Sequence, residues 1–485
     1  MSALGHLKPT SLWINFEEIC RIPRISKHED KIGKYLLHFA KKNQLESRID
    51  ETGNILIVKP ASKGFENRKT VVLQSHLDMV GEKNAANPHN WETDAITPVT
   101  DGEWVSATGT TLGADDGIGI AAQMAILVDS ALKAGKIECL FTVDEETGMT
   151  GAINLKPDFF EGRILLNLDS EDEGILFIGC AGGMDTVGVM NYTSVASLST
   201  DAVVRISLTG LRGGHSGDEI HKGFGNSVKL LGRLLSEISA EYRIAISDFE
   251  AGNLRNAIPR EGFSTIIVDK KDKDSIIAMV NRFFIQVKNE IGTIENNIKI
   301  TCEDVLMPQS AMDGRSMKLF LDLLSSCPHG VLAWSKEMDD LVETSTNLAS
   351  AKFNGNNTVT IVTSQRSSVE ASKHKASGLV AECLTKAGAS VESSGGYPGW
   401  QPDIKSEILE ITSNSYLRLF GKEPVVRSIH AGLECGMFFE KFAGIDMISF
   451  GPTIRGAHTP EEKIEISTVT MFWELLTDVI ANIPE

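Results

Sequence analysis

The sequence predicts an α/β fold, in which a main domain with a mainly parallel, twisted sheet flanked by helices is interrupted by an inserted α+β sandwich. The first third alternates short β-branched runs with amphipathic stretches, and this texture changes near Asp201 and returns after Tyr397. The length of 485 residues also exceeds that of one ordinary compact core. We therefore expect two or three domains, each large enough to bury a core.

The runs VVLQ, IECLFTV and RILLNL in the first third are continuously apolar. Such runs are typical of parallel strands that are buried on both faces. The middle of the chain instead contains VVRISL, STIIV, NIKIT and TVTIV, interleaved with helical stretches such as DSIIAMVNRFFIQVKNEI. After Tyr397 the helix SEILEITSNSYLRLF and the strand DMISF resemble the first third. The middle is therefore interpreted as an insertion.

Composition excludes several classes of protein. The net charge of -18 is spread along the chain without a basic stripe, so we expect no nucleic-acid partner. No apolar run reaches the roughly 18 residues that cross a bilayer, and MSALGHLKPTSLW does not have the pattern of a secretory leader. We expect no membrane partner and a cytoplasmic location. The seven scattered cysteines are read as reduced thiols.

Metal-compatible side chains follow the predicted strands, where the sheet of an open α/β fold binds its ligands. A further acidic pair, Asp115-Asp116, is flanked by glycines at the start of an apolar helix. The candidate ligands are His76, Asp115, Glu146, Asp169 and His458. Nitrogen and oxygen donors without a thiolate suit zinc and also accept cobalt or manganese.

This ligand set is sufficient for two metal ions if Asp115 is shared. Two divalent cations, three ligand carboxylates and one bridging hydroxide together carry no net charge. Asp78 and Glu145 remain outside the ligand set. Asp78 is placed to accept the second ring N–H of His76, and Glu145 to take a proton from the metal-bound water and pass it to the leaving amine.

Each fragment also has an ordinary structural interpretation. His76-x-Asp78 alone is typical of a surface turn, Glu145-Glu146 of a solvated turn, and Asp115-Asp116 of a helix cap. Their joint occurrence at the strand ends of one domain favours a site.

The residues resemble the M20 metallopeptidase family, and more narrowly its aminoacyl-histidine dipeptidase branch. The matching stretches extend over essentially the whole chain: ENRKTVVLQSHLDMV, DGEWVSATGTTLGADDGIGIA, TVDEETGMTGA, LLNLDSEDEG, CAGGMD, LRGGHSGDEIHKGFGN, LRNAIPRE, YPGWQPD, IHAGLECG and GPTIRGAHTPEE. The resemblance implies one metal on His76 and Asp169, another on Glu146 and His458, and Asp115 as the bridge. It also implies a cis peptide bond between Asp115 and Asp116, with Glu145 as general base and Asp78 as orienting residue.

The resemblance further implies a catalytic domain of residues 1–186 and 397–485 and a lid domain of residues 187–396. In the lid, His215 is implied to polarise the scissile carbonyl. Arg366 is a candidate for binding the substrate carboxylate, with a solvated strand residue as the alternative. Asn256 is a candidate substrate contact or a turn residue, and His430 is a candidate pocket residue.

The predicted activity is hydrolysis of unblocked dipeptides, Xaa-His among them, by a metal-bridging water that Glu145 activates. The alternatives are an M20-type aminoacylase or carboxypeptidase, and a non-catalytic binding protein on the same fold. The lid is expected to contain two successive units of strand, helix, two strands, helix and strand. A homodimer through the lid is the favoured assembly, and a doubled lid that acts within one chain is the alternative.

Overall fold

The computed structural model describes residues 3–197 and 201–485. The chain forms two compact units. Unit 1 comprises Met1–Cys180, Trp400–Ser428 and Leu433–Glu485, and unit 2 comprises Ala181–Gly399 and Ile429–Gly432. No helix in the described ranges is long and apolar enough to cross a membrane. The catalytic and lid roles that the sequence assigns to the two domains stay predictions.

The α-helices of the described residues are numbered here in chain order. They are α1 Thr10–Cys20, α2 Asp30–Lys42, α3 Ala114–Val128, α4 Glu145–Gly148, α5 Thr150–Asn154, α6 Ser227–Glu241, α7 Lys273–Ile291, α8 Gly314–Ser326, α9 Glu370–Lys386, α10 Glu407–Phe420, α11 Cys435–Lys441 and α12 Ile466–Asn482. Two short 3-10 helices span Ile220–Lys222 and Lys270–Asp272.

The strands are numbered in the same way. In the first segment of unit 1 they are β1 Glu46–Ile49, β2 Ile55–Lys59, β3 Val71–His76, β4 Pro98–Thr100, β5 Trp104–Ala107, β6 Ile137–Thr142, β7 Ile164–Asn167 and β8 Ile175–Cys180. The next strands along the chain are β9 Gly182–Asn191, β10 Ser194–Ala196, β11 Asp201–Thr209, β12 Ile244–Ala251, β13 Gly262–Asp269, β14 Lys299–Asp304, β15 Ser310–Met312, β16 Gly330–Trp334, β17 Val342–Asn354, β18 Thr358–Ser367 and β19 Ala389–Ser393. The last are β20 Val425–Ile429, β21 Asp446–Ser449, β22 Ile454–Arg455 and β23 Lys463–Glu465.

The main sheet of unit 1 has the strand order β1-β2-β6-β3-β7-β21-β8-β20. Its centre is parallel, because β3 pairs in parallel with β6 and β7, and β7 with β21. Antiparallel pairs of β1 with β2, β2 with β6, and β21 with β8 extend the sheet on either side. The three apolar runs of the first third form β6, β3 and β7, whose side chains are buried along their whole length.

Helices pack on this sheet and bury its apolar side chains. Helix α3 contacts β3 and β6, α1 lies against α3, and α10 contacts β21. A separate four-stranded sheet has the order β22-β23-β5-β4. Because the parallel strands β3, β6 and β7 run in the same direction, the segments that follow them emerge at one edge of the sheet.

Unit 2 contains a nine-stranded sheet with the order β14-β11-β13-β12-β17-β18-β9-β19, and β16 pairs with β17. Helices α6 to α9 lie side by side and share one large apolar core with the sheet. Together with the mixed sheet of unit 1, this two-layer arrangement confirms the predicted fold class. The sheet has two four-stranded halves, which are joined where β12 pairs with β17.

The sequence predicts that the two halves of this sheet follow one another along the chain, and this prediction is wrong. The first half, β11-α6-β12-β13-α7-β14, has the predicted order. The second half contains β17, β18 and β19 together with β9, which precedes the first half in the chain and pairs with both β18 and β19. The first half is therefore inserted within the second rather than preceding it. Local patterns do not reveal this arrangement, because the pairing of β9 joins segments far apart in the sequence.

Candidate metal centre

Charged side chains gather in unit 1 where the three central parallel strands end. His76 is the last residue of β3, and Asp169 follows β7 by two residues. Glu145 and Glu146 begin the short helix α4, shortly after β6. The parallel register of the strands brings these segments to the same edge of the sheet.

Asp115 comes from the start of α3. Its backbone is extended, with φ of -79° and ψ of 113°, so the regular helix begins only after Asp116. The Asp115–Asp116 peptide bond is cis, which confirms the geometry implied by the resemblance. The preceding Gly113 has φ of 69° in the left-handed region, which glycine adopts without steric cost.

The first ligand group consists of His76, Asp115 and Asp169, whose donor atoms lie within 4.8 Å of one another. His76 Nε2 is 3.0 Å from Asp115 Oδ1 and 3.6 Å from Asp169 Oδ1. The His76 side chain is only 1% exposed. This group is therefore almost completely enclosed by protein.

The second ligand group consists of Asp115, Glu146 and His458. His458 Nε2 is 3.2 Å from Asp115 Oδ2 and 3.0 Å from Glu146 Oε2. His458 has a positive φ of 62°, and its side chain is 51% exposed. The two groups thus share Asp115, which directs one carboxylate oxygen to each.

Asp78 is buried beside the first ligand group. Its Oδ1 lies 3.4 Å from His76 Nδ1 and accepts the Glu145 N–H at 3.0 Å, while its Oδ2 accepts the Glu146 N–H at 3.2 Å. Ser26 Oγ donates to Oδ2 at 2.8 Å. Burial raises the pKa of Asp78, but the His76 ring and these hydrogen bonds outweigh it and lower the pKa to about 2. One ionised carboxylate therefore contacts both the His76 ring and the start of α4.

Glu145 stands next to the second ligand group but also lies close to His76, with which it and Glu146 form a third cluster of possible donors. Burial raises the pKa of Glu145 well above its usual value, and the charge of Asp169 adds to this effect. A carboxyl with a raised pKa is suited to accept a proton and release it again.

The electrostatics of the two groups fit bound cations. Burial raises the pKa of Asp169 to about 6, although the His76 ring opposes the shift. Hydrogen bonds to Asp115 and Glu146 raise the pKa of His458 to about 11. In the part of the chain that the structure describes, the site carboxylates form ion pairs with histidines alone. The carboxylates therefore form a concentration of negative charge that two divalent cations would balance.

An unpaired polar atom supports the same conclusion. Glu146 Oε1 is buried without a hydrogen-bond partner among the residues that the structure describes. A buried carboxylate oxygen without a partner is costly in a folded protein, and a metal ion would satisfy it. The donor set of imidazole nitrogens and carboxylate oxygens suits zinc, manganese or cobalt.

The sequence analysis missed Glu434, which lies beneath the site in unit 1. Its Oε2 accepts hydrogen bonds from Gln74 Nε2 and Thr142 Oγ1, both at 2.7 Å, and Asn167 Nδ2 donates to Gln74 Oε1 at 2.6 Å. Burial raises the pKa of Glu434 to about 8. This network joins the ends of β3, β6 and β7. The run IHAGLECG contains Glu434, but a single glutamate in a glycine-containing segment gives no local sign of burial.

The predicted substrate-contact residues all lie in unit 2. His215 is partly exposed, and its Nδ1 lies 3.2 Å from both the Asp218 N–H and Asp218 Oδ2. The backbone of this segment pairs with the segment that contains Asn256, and Ser216 N–H donates to the Asn256 carbonyl at 2.8 Å. The Asn256 side chain is exposed. This contact is made by the Asn256 backbone and does not involve its side chain.

His430 and Arg366 are buried in unit 2. Ser345 Oγ lies 2.8 Å from His430 Nε2, and burial together with the charge of Arg366 lowers the pKa of His430 to about 3. Arg366 Nη1 donates to Tyr397 Oη at 3.1 Å, whereas its Nε has no hydrogen-bond partner within residues 3–197 and 201–485. The Arg366 side chain is therefore not a solvated strand residue.

Comparison with known families decides the class of protein. Residues 72–482 match the peptidase family M20/M25/M40. The chain belongs to this family. The resemblance inferred from its motifs is thereby confirmed.

Individual relatives match this chain over essentially its full length. The chain is 42% identical over 484 residues to the cytosol non-specific dipeptidase of Escherichia coli strain K12, covering 100% of both chains. The crystal structure of aminoacylhistidine dipeptidase from Vibrio alginolyticus matches with a TM-score of 0.93 and 42% identity, covering 99% of this chain and 98% of the other. Aminopeptidase PepT from Bacillus cereus has the same fold at 17% identity, with a TM-score of 0.59 and coverage of 99% and 100%.

Proposed function

We propose that this M20 peptidase is a dinuclear metallo-dipeptidase that hydrolyses unblocked dipeptides, including Xaa-His. The observation that carries the proposal is the pair of ligand groups that share Asp115. The full-length similarity to two dipeptidases supports the substrate class.

The first metal would be held by His76, Asp115 and Asp169, and the second by Asp115, Glu146 and His458. When bound, two such ions polarise a carbonyl and lower the pKa of water. Zinc is the proposed metal, and cobalt or manganese would suit the same donors.

Glu145 is the proposed general base and acid. It would take a proton from the attacking water and donate it to the nitrogen of the leaving amine as the peptide C–N bond breaks. Glu145 would then have the same protonation state as before the reaction. Its raised pKa supports both halves of this transfer. Asp78 would orient the His76 ring through Nδ1, since its Oδ1 is the carboxylate oxygen nearest to that nitrogen in the ion pair.

Residues of unit 2 would bind the substrate. We propose that His215 donates to the carbonyl oxygen as negative charge develops on it. Arg366 would bind the carboxylate of the dipeptide, because guanidinium matches carboxylate with two parallel hydrogen bonds. Asn256 and His430 are proposed as neighbouring contacts. Assembly as a homodimer through the lid and a cytoplasmic location remain predictions.

The substrate class is tested with a panel of three related compounds on the metal-loaded enzyme. We expect rapid hydrolysis of a free Xaa-His dipeptide and a kcat/KM lower by at least ~10²-fold for the N-acetylated dipeptide, because acetylation removes the positive charge and most of the N–H donors of the amine. A tripeptide should also be a poorer substrate.

Other outcomes would replace the proposal. Preference for N-acetylated amino acids would indicate an aminoacylase. Release of carboxy-terminal residues from longer peptides would indicate a carboxypeptidase. Binding of the dipeptide without turnover by the metal-loaded protein would indicate a non-catalytic binding protein.

A further inference from the structure

Two buried side chains of opposite charge lie on either side of the loop that carries Asp115. Glu462 and Arg24 are each 2% exposed. Both belong to unit 1. Burial lowers the pKa of Arg24, and the negative charge of Glu462 is one of the charges that oppose this shift. Neither is among the candidate ligands. Buried charges of this kind are rare unless they are fully paired, so their partners indicate their role.

Glu462 accepts backbone hydrogen bonds from four successive residues. Its Oε2 accepts the N–H groups of Leu112 at 2.8 Å and Gly113 at 2.9 Å, and its Oε1 those of Ala114 at 2.7 Å and Asp115 at 3.3 Å. These N–H groups lie on the segment that leads into α3, before the regular helix begins after Asp116. Hydrogen bonds to an ionised carboxylate are stronger than neutral ones. The carboxylate therefore fixes the backbone immediately around Asp115.

The Arg24 guanidinium group donates hydrogen bonds to backbone carbonyl groups of the same loop and of the segment after His76. Its Nη2 donates to the Gly113 carbonyl, and its Nη1 donates to the carbonyls of Leu77 at 3.0 Å and Asp78 at 2.6 Å. Leu77 and Asp78 directly follow His76. One guanidinium group thus joins the end of β3 to the Asp115 loop.

Glycines make this approach possible. A Cβ atom added at Gly113 would lie 2.7 Å from Arg24 Nη2, and one at Gly117 would lie 2.6 Å from it. Both distances are too short for real Cβ contacts. The glycines on either side of the Asp115-Asp116 pair therefore admit the guanidinium group, in addition to the backbone freedom that Gly113 needs.

Glu462 also lies four residues after His458 on the same short segment. That segment supplies the exposed ligand of the second group, while Glu462 binds the loop of the shared ligand. Arg24 connects the same loop to the segment of His76. The two buried charges therefore link all three backbone segments that carry His76, Asp115 and His458.

We propose that Arg24 and Glu462 are positioning residues for the metal centre, which hold the Asp115 loop in place before metal binds. This inference rests on the proposed function, since it concerns the same ligand groups. The competing explanation is that the pair only stabilises the fold of unit 1. The two explanations differ in what they predict for metal affinity.

Glu462→Gln is the sharpest single change. It keeps the shape of the side chain but replaces one carboxylate oxygen with an NH2 group, which cannot accept from the backbone N–H groups that it would face. We expect the affinity for zinc, measured by competition with a chelator, to fall by about 10–100-fold, the range found when supporting groups of metal ligands are removed. The visible absorption of the cobalt-loaded protein should also change, because the ligand geometry is altered.

Glu461→Gln is the matched control. It removes the same charge from the adjacent residue, whose side chain is exposed. Zinc affinity and the cobalt spectrum should match those of the unchanged protein. Arg24→Lys is the second test, because an ammonium group cannot span the three carbonyls in the same planar geometry, and it should also weaken zinc binding. Arg21→Lys, at an exposed position paired with Glu17 and Glu18, is its control.

A measurement on the unchanged protein covers the case in which the variants do not fold. In the metal-free protein, the amides of Leu112 to Asp115 should exchange with solvent as slowly as those of the buried strand β3. Rapid exchange of these amides in folded metal-free protein would overturn the proposal. So would Glu462→Gln and Arg24→Lys variants that bind zinc with unchanged affinity and give an unchanged cobalt spectrum, even if their unfolding temperatures fell.

The same experiment separates the inference from the proposed function. If the unchanged protein binds no metal, the proposed function fails. If it binds two zinc ions and the Glu462→Gln variant binds them equally well, only the positioning role of Arg24 and Glu462 fails.

Discussion

The two proposed ligand groups share Asp115 but differ in their surroundings. His76 is the last residue of a central strand, is 1% exposed, and has Asp78 next to its second ring nitrogen. His458 lies on an irregular segment with a positive φ and is 51% exposed. The first group is thus fixed by the sheet, whereas the second faces solvent on one side.

This difference indicates that the two ligand groups have different roles within one site. His76 is held in place before metal binds, because it belongs to a strand and its second ring nitrogen contacts Asp78. An exposed ligand leaves room for exchange of metal and approach of substrate. The shared carboxylate couples the two, so a change at Asp115 should affect both groups, and a change at Glu146 or His458 mainly the second.

Replacing the shared ligand should have the largest effect. We expect Asp115→Ala to retain neither metal and to lose activity to the background rate, because both groups lose a charged donor. Metal content by elemental analysis and dipeptide turnover measure this directly. Asp172→Ala, at an exposed carboxylate paired with Arg455, should leave both unchanged. An Asp115→Ala protein that keeps two metals would show that the groups are independent.

Two adjacent glutamates separate proton transfer from metal binding. Glu145→Gln should keep both metals and lose at least ~10²-fold in kcat, because it removes only the proton-transfer group. Glu146→Gln should instead lose the metal of the second group. Each variant is the control for the other. Near-normal kcat in metal-loaded Glu145→Gln would assign the base to another residue.

His215 tests whether unit 2 contributes to the chemistry. We expect His215→Ala to lose about 10²-fold in kcat, with a smaller change in KM, because a donor to the developing oxyanion contributes ~3 kcal/mol. Both metals and the unfolding temperature should be retained. His374→Ala, at an exposed histidine of the same unit, is the control. A folded, metal-loaded His215→Ala enzyme with normal kcat would remove His215 from the mechanism.

The smallest expected effect is a difference in metal affinity between the two groups. The exposed second group should lose its metal at a chelator concentration about tenfold lower than the enclosed first group, the low end of the effect of supporting groups. Stepwise release followed by elemental analysis would show a species with one metal. Release of both metals in a single step at the same chelator concentration would contradict the difference.

The sequence was sufficient to predict the central strands and the residues at their ends. Continuous apolar runs identify β3, β6 and β7, and a polar side chain directly after such a strand lies at the binding edge of the sheet whatever its distant neighbours are. This is why His76, Glu146 and Asp169 were placed close together. Asp115 is predicted instead from the glycine-flanked acidic pair at the start of an apolar helix, and His458 from its position beyond the predicted strand DMISF.

Other features depend on contacts between distant segments. Glu462 follows an exposed glutamate and has the sequence context of a solvated turn, yet the fold buries it against four backbone N–H groups. Arg24 reaches segments about fifty and ninety residues away. The nesting of β9 within the sheet of unit 2 has the same origin. Local periodicity carries no information about such pairings.

The central claim, two metals acting at one shared carboxylate, is tested most directly by following activity as metal is restored. Chelated enzyme would be titrated with zinc while bound metal per chain and turnover of a free dipeptide are measured together. We predict that turnover is absent in the metal-free protein and reaches its full value only as the second ion binds. Full turnover with one ion per chain, or none, would contradict the account.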